Sequence, residues 1–243
     1  MAAPIGLILG SDWGRIIEGI KNKKATGFER VFGNKATVPG HSGKIISGTL
    51  YGKKVIILSG RFHTYEDYTT SEVVKTVKYL HRQGVKKIII TSAAGALNPK
   101  YNIGDLVVLN DLITLFCPSP LGGAKFQNLS KPFNQSLINK AQVSALEADL
   151  SIQKGVYVYQ RGPHFETFAD KMALRFFGAD VVGMSTVPEV IMANHLGMEV
   201  LGLSIVTNLA FIKHDHREVL KAVKNKEKKL QTFFIELLKN IKK

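Results

Sequence analysis

Residues 53–95, "KKVIILSGRFHTYEDYTTSEVVKTVKYLHRQGVKKIIITSAAG", decide the fold. An apolar run through Val55, Ile56, Ile57 and Leu58 gives way to polar residues. A helical pattern follows, with Val73, Val77 and Leu80 on one side and a glycine at position 84, and then a second apolar run through Ile88, Ile89 and Ile90. Short continuous apolar runs suit strands buried on both faces, and the three-to-four spacing suits an amphipathic helix closed by a C′ glycine. Strand, helix, strand is the unit of a parallel sheet. The alternation extends both ways. Strand-like runs recur at 5–10, 105–113, 155–162, 180–185 and 199–208, and the helical tracts "FETFADKMALRFFG" and "TVPEVIMANHLG" end at Gly178 and Gly197. Thr186 and Glu189 have capping-box spacing, with Pro188 in the first turn. We expect one α/β domain over residues 1–243, with a mixed, largely parallel central sheet flanked by helices. The long connection "CPSPLGGAKFQNLSKPFNQ" (117–135) is of a size that compact domains reserve for function or motion.

With 45% hydrophobic and 21% charged residues among 243, the chain has the composition of a soluble globular protein. A single cysteine, Cys117, excludes an internal disulfide framework and fits a reducing compartment, so a cytoplasmic location is expected. No apolar run reaches the length of a membrane span, and the opening "MAAPIGLILG" lacks the basic segment of a signal peptide. The net charge of +14 raises the question of nucleic acid. Its densest part, 221–243, interleaves lysines with Leu230, Phe233, Phe234, Leu237 and Leu238, the pattern of an amphipathic helix with a solvated basic face. Zinc-ligand spacing and RNA-recognition signatures are absent. No nucleic-acid or membrane partner is expected; attraction of small anions is.

Ligands of α/β sheets sit at the carboxyl ends of the strands. Here those ends read "GSDWG" (10–14), "GRFHTYEDY" (60–68), "TSAAGALN" (91–98), "RGPHFET" (161–167), "GMSTVPE" (183–189) and "VTN" (206–208). Ser11, Ser185 and the backbone N–H groups around Ala93 are small donors on glycine-flanked turns, suited to phosphate oxygens. Arg61 supplies a planar fork that matches phosphate bidentately. Were the second strand to run on, Arg61, His63 and Tyr65 would share one face. Phe165 with Glu166 offers a flat apolar face beside an acceptor, and Asn208 carries both donor and acceptor for a purine edge. Together these describe a site for an anion and a nucleoside.

Long tracts carry a more specific signal: "GHSGKIISGTLYGKKVIILSGRFHTYEDY", "TSAAGALNPKYNIGDLVVLNDLI", "GVYVYQRGPHFETFADKMALRFFGADVVGMSTVPEVIMANHLGMEVLGLSIVTN" and "HREVL". In these the chain resembles the trimeric purine nucleoside phosphorylase family, which includes the methylthioadenosine phosphorylases. The resemblance implies phosphorolysis of 6-oxopurine (deoxy)ribonucleosides such as inosine and guanosine to free base and (deoxy)ribose 1-phosphate. It implies a homotrimer, no metal and no cofactor, inorganic phosphate being a co-substrate. Position by position, it implies phosphate binding by Ser11, Arg61, His63, Ala93 and Ser185. Ribose contacts fall to Tyr65, Met184 and His216, and base contacts to Phe165, Glu166, Thr207 and Asn208. Phe126 corresponds to an aromatic that one subunit lends to its neighbour. Catalysis rests on Asn208, Glu166 and His63, with Asn208 stabilising charge on the departing purine near N7 and O6. One departure stands out: Asp12 occupies the phosphate turn where the family carries glycine. The competing readings are a methylthioadenosine phosphorylase and a nucleoside-binding protein whose catalysis Asp12 has weakened.

Overall fold

The computed structural model describes residues 3–11, 13–38, 40–124, 126–212 and 216–241, the side chains of residues 14, 15 and 216–227 excepted. Its strands are β1 (Ile5–Leu9), β2 (Lys21–Gly27), β3 (Lys44–Leu50), β4 (Lys53–Ser59), β5 (Lys87–Ala96), β6 (Leu106–Ile113), β7 (Ile152–Tyr159), β8 (Val181–Gly183) and β9 (Glu199–Leu209). Its helices are α1 (Phe28–Phe32), α2 (Thr70–Val73), α3 (Lys75–Arg82), α4 (Gln135–Glu147), α5 (Phe168–Phe176), α6 (Val187–His195) and α7 (His216–Asn240). The strands join in the order β2-β3-β4-β1-β5-β8-β7-β6-β9, and β9 also pairs with β5. A four-strand wing therefore runs into β5, and β5-β8-β7-β6-β9 closes into a ring. Five of the described pairings are parallel and four antiparallel, which makes the sheet mixed with a parallel majority.

The expected strand–helix–strand unit is β4, α2–α3, β5, with β1 inserted between the strands in parallel with both. Its continuous apolar runs are explained by burial on both faces: Leu7, Ile8, Ile57, Leu58, Ile88, Ile89 and Ile90 are all fully buried. β2 and β3 were not expected. They form an antiparallel hairpin at the sheet's edge, where β2 reads "KNKKATG" and is exposed almost throughout. Lysines there guard an open edge rather than mark an apolar face. Helix α3 packs against α6, and α4 against α7. The apolar stripe of α7 buries Phe233, Phe234, Leu237 and Leu238, and Phe234 meets Trp13 edge-on at 5.4 Å, pinning the last helix to the turn after β1. Truncating any of these to alanine is expected to cost about 2–5 kcal/mol.

Two local expectations fail. β4 stops at Ser59, so Arg61, His63 and Tyr65 do not share a strand face. Gly60 turns the chain at φ +117°, a conformation that glycine tolerates, and a Cβ there would lie 2.8 Å from that of His41. Phe62 then drops into an aromatic cluster with Phe28, Phe32 and Tyr68, and Thr64–Glu66 form a 3-10 turn. The second failure is the Thr186–Glu189 capping box. Thr186 makes no side-chain cap, because at φ 69°, ψ −53° it lacks the extended backbone of an N-cap, and the Glu189 carboxylate pairs with Arg61.

Candidate active site

A cavity of about 200 Å³ opens at the carboxyl ends of β1, β4, β5, β8 and β9, where wing and ring diverge. Eleven of the thirteen residues picked from the sequence line it. Ser11, Arg61, His63, Ala93 and Ser185 do so from the anion side, and Tyr65, Phe165, Glu166, Met184, Thr207 and Asn208 from the nucleoside side. Two do not. Phe126 lies outside the cavity on the long loop and is 97% exposed. His216 begins α7, but its side chain lies outside the described residues, as does Asp12 altogether.

The anion side is built from buried, mutually held groups. His63 shares its Nδ1 with Glu66 Oε2 at 2.8 Å, leaving Nε2 as the ring's uncommitted nitrogen. Glu66 Oε1 accepts from the backbone N–H of Thr37 at 2.9 Å and from its hydroxyl at 2.6 Å. Burial pushes the Glu66 carboxyl up, but the hydrogen bonds from His63 and Thr37 outweigh it and hold the group at about 2. Burial lowers His63, partly offset by Glu66. The His63 ring is sandwiched between Tyr65, with centroids 4.5 Å apart, and His41 at 5.2 Å. Burial raises the Tyr65 phenol to about 12, keeping it a neutral donor.

His41 is the residue that sequence reasoning missed. Both its ring nitrogens are buried without a protein partner, and it lines the same cavity. Burial, then the charge of Arg61, lowers it to about 4, so at neutral pH the ring is uncharged. The only signal was its place in "GHSG", a glycine-flanked tract with no strand before it.

Arg61 departs from expectation in a second way. Its side chain is 1% exposed, and Nη1 donates to Glu189 Oε2 at 2.8 Å and to the Thr186 hydroxyl at 3.5 Å. Nη2 donates to the carbonyls of Ile8 and Thr91. All four Nη protons are therefore committed, and only Nε–H is without a partner. The free fork is not on offer. Thr186 itself sits at φ 69°, ψ −53°, and Val187 N–H reaches Ser185 C=O at 2.7 Å, closing a γ-turn of the rare, strained hand. For a buried β-branched residue this conformation costs about 1–3 kcal/mol, and it turns the chain so that Ser185 lines the cavity.

The base side is looser. Phe165 is 77% exposed at the cavity mouth, and Asn208 is exposed. Pairing of β5 with β9 steps from Ala94↔Val206 to Gly95↔Asn208, so Thr207 is an extra residue on β9. Such a bulge re-aims side chains at a strand end. Gly95 makes room for the result: a Cβ there would lie 2.9 Å from the Asn208 amide nitrogen. Thr207 donates its hydroxyl to Asn208 Oδ1 at 3.3 Å. Among the described residues no group of three or more His, Cys, Asp or Glu is placed to hold a metal ion, and no helix is long and apolar enough to cross a membrane.

A family model described as the phosphorylase superfamily matches residues 4–241. The chain belongs to that superfamily. Similar members include purine nucleoside phosphorylase 1 of Bacillus subtilis, 39% identical over 98% of this chain and 90% of its own length. Purine nucleoside phosphorylase of Rattus norvegicus is 36% identical over 98% of this chain and 89% of its own. Among solved structures, the Schistosoma mansoni purine nucleoside phosphorylase in complex with inosine superposes with a TM-score of 0.89 at 34% identity, covering 99% of this chain and 91% of that one. The agreement in fold extends over the wing as well as the ring.

Proposed function

We propose that this chain is a purine nucleoside phosphorylase, acting on 6-oxopurine ribo- and deoxyribonucleosides as one nucleoside phosphorylase domain over residues 1–243. The observation that carries the reading is the convergence in one cavity of an anion end (Ser11, His63, Ala93, Ser185) and a base end (Glu166, Asn208), with Tyr65 and Met184 also on its wall. Relatives named for this activity support it. Phosphate sits against Ser11, Ser185, the Ala93 backbone, His63 Nε2 and Arg61 Nε. The bond from C1′ to the purine nitrogen breaks, the ribosyl centre gains oxocarbenium character, and a phosphate oxygen forms the new bond to C1′. Electrons left on the purine are stabilised by Asn208 near N7 and O6, while Glu166 accepts from N1–H. The His63–Glu66 pair fixes the ring rather than supplying a nucleophile, so positioning and fixed dipoles carry the rate. No metal or cofactor enters this scheme.

We place the enzyme in the cytoplasm as a homotrimer. An exposed stripe on α5, Phe168, Met172 and Phe176 at four-residue spacing, supports a covered face beside the cavity mouth, and the extended Phe126 supports exchange between copies. The deciding experiment incubates the protein with phosphate and either inosine or methylthioadenosine and follows free base. Inosine is expected to turn over faster, and only with phosphate present. Faster methylthioadenosine cleavage sinks the 6-oxopurine reading; nucleoside binding without base release sinks the enzyme reading.

A further inference from the structure

Arg61 meets its two kinds of anion on different sides. Glu189, fully buried on α6, does not line the main cavity, whereas Arg61 does. Between Arg61, Ser185, Thr186 and Glu189 there is only a cavity of about 10 Å³, room for one water and not for an oxyanion. An anion arriving in the main cavity therefore approaches a guanidinium that is already paired from behind. The pair is formed at 2.8 Å with both partners out of water, so it is electrically near neutral from the cavity side. The pairing is also incomplete in hydrogen bonds: Glu189 Oε1 and Arg61 Nε have no partner. Burial, the larger effect, raises the Glu189 carboxyl, while Arg61 and the Thr186 backbone pull it down; the 2.8 Å contact with a guanidinium that stays protonated favours its charged form.

We propose that Glu189 is an affinity-setting residue of the phosphate site, an internal counter-ion that cancels most of the Arg61 charge and keeps phosphate binding weak enough for turnover. It acts through Arg61 and touches neither substrate. The benefit lies in release. Phosphate and the product sugar phosphate carry the same dianionic group, so a guanidinium left unpaired in a buried site holds both too long. The inference rests on the phosphorolytic reading above.

The test is phosphate binding by equilibrium dialysis, with inorganic phosphate as the probe and the full chain throughout. Glu189→Gln keeps the size and an acceptor for Nη1 but removes the charge. It is expected to tighten phosphate at least about fivefold, to lower KM for phosphate but not for nucleoside, and to slow kcat through product release. A merely structural role shifts the unfolding midpoint and leaves the ratio of the two KM values alone. Phosphate affinity that is unchanged or weaker in folded Glu189→Gln overturns the proposal. Should that variant not fold, Arg61→Met with Glu189→Met replaces the pair by apolar side chains of similar bulk. Because the pair is near neutral, the double variant is expected to stay within about tenfold of the unmodified affinity; a larger loss overturns the proposal. Failure of the functional reading looks different: the unmodified chain releases no base with phosphate. Even then Glu189→Gln is expected to gain phosphate binding, and no gain refutes the inference separately.

Discussion

The two ends of the cavity are built in opposite ways. At the anion end three ionisable groups are tied to neighbours: His63 to Glu66, Glu66 to Thr37, and the fully buried Arg61 to Glu189 and two strand carbonyls. At the base end Asn208 and Phe165 stand exposed, and Asn208 is held by a bulge and one long hydrogen bond. The anion end is thus part of the core, and its residues serve stability and chemistry together. The base end is chemistry placed on a rim, where little of the fold depends on it.

The largest effect expected from this contrast is on stability. Arg61→Ala leaves Glu189 buried without its cation and frees two carbonyls, which should cost about 3–5 kcal/mol in denaturant unfolding. Asn208→Ala is expected to change stability by no more than about 0.5 kcal/mol, since the side chain is exposed, yet to lower kcat/KM for inosine by about 2–4 kcal/mol. A stable Arg61→Ala, or an Asn208→Ala that unfolds as easily as it loses activity, breaks the division between the two ends. Asn208→Asp sharpens it: a carboxylate accepts from a 6-amino group and repels a 6-oxo group, so inosine preference should fall relative to adenosine without loss of stability.

The same contrast explains what the sequence made legible. The parallel strands were legible because burial on both faces leaves unbroken runs such as "VIIL" and "IIIT". β2 was not, because an exposed lysine-rich edge has no apolar period. Base-end residues were legible as residue types at strand ends, since exposure leaves their roles unmixed. The residues picked for the anion end do line one cavity, but how they are wired to one another was not legible. Glu189 has the spacing of a capping residue, and only the fold brings it 128 positions back to Arg61. His41 lies 22 positions before its stacking partner His63, on a loop whose path no local pattern fixes.

A smaller effect is expected on the acid limb of stability. The His41 ring titrates at about 4 when folded against 6.5 ordinarily, so on acidification the unfolded chain takes up its proton first. Its contribution is whole above 6.5 and is lost as pH falls from 6.5 toward 4. Glu66, at about 2 against 4.5, acts in the same direction lower down, its contribution whole above 4.5 and lost toward 2. Unfolding free energy should therefore fall continuously from pH 7 to pH 3. His41→Asn should flatten the segment between 6.5 and 4.5 by up to one proton, about 1.4 kcal/mol per pH unit, and leave the lower segment intact. An unaltered upper segment in that variant removes His41 from the buried, uncharged network.

The smallest effect concerns Phe126, and it asks whether the loose end is completed by another copy of the chain. At 97% exposure its removal cannot cost its own subunit more than about 0.5 kcal/mol of stability. If the ring covers a neighbour's ribose, Phe126→Ala should still lower kcat/KM by about 1 kcal/mol, the scale of one aromatic contact. Mixing decides whose site it serves. Asn208→Ala copies keep an intact Phe126 and a dead base end; Phe126→Ala copies keep an intact base end. In mixed oligomers, should copies associate in this way, a Phe126→Ala copy beside an Asn208→Ala copy regains a complete site, so activity after joint refolding should exceed the average of the two variants refolded apart. If Phe126 instead folds onto its own cavity, no mixture does better than that average. The base end would then be completed within one chain, and association between copies would have no part in binding the nucleoside.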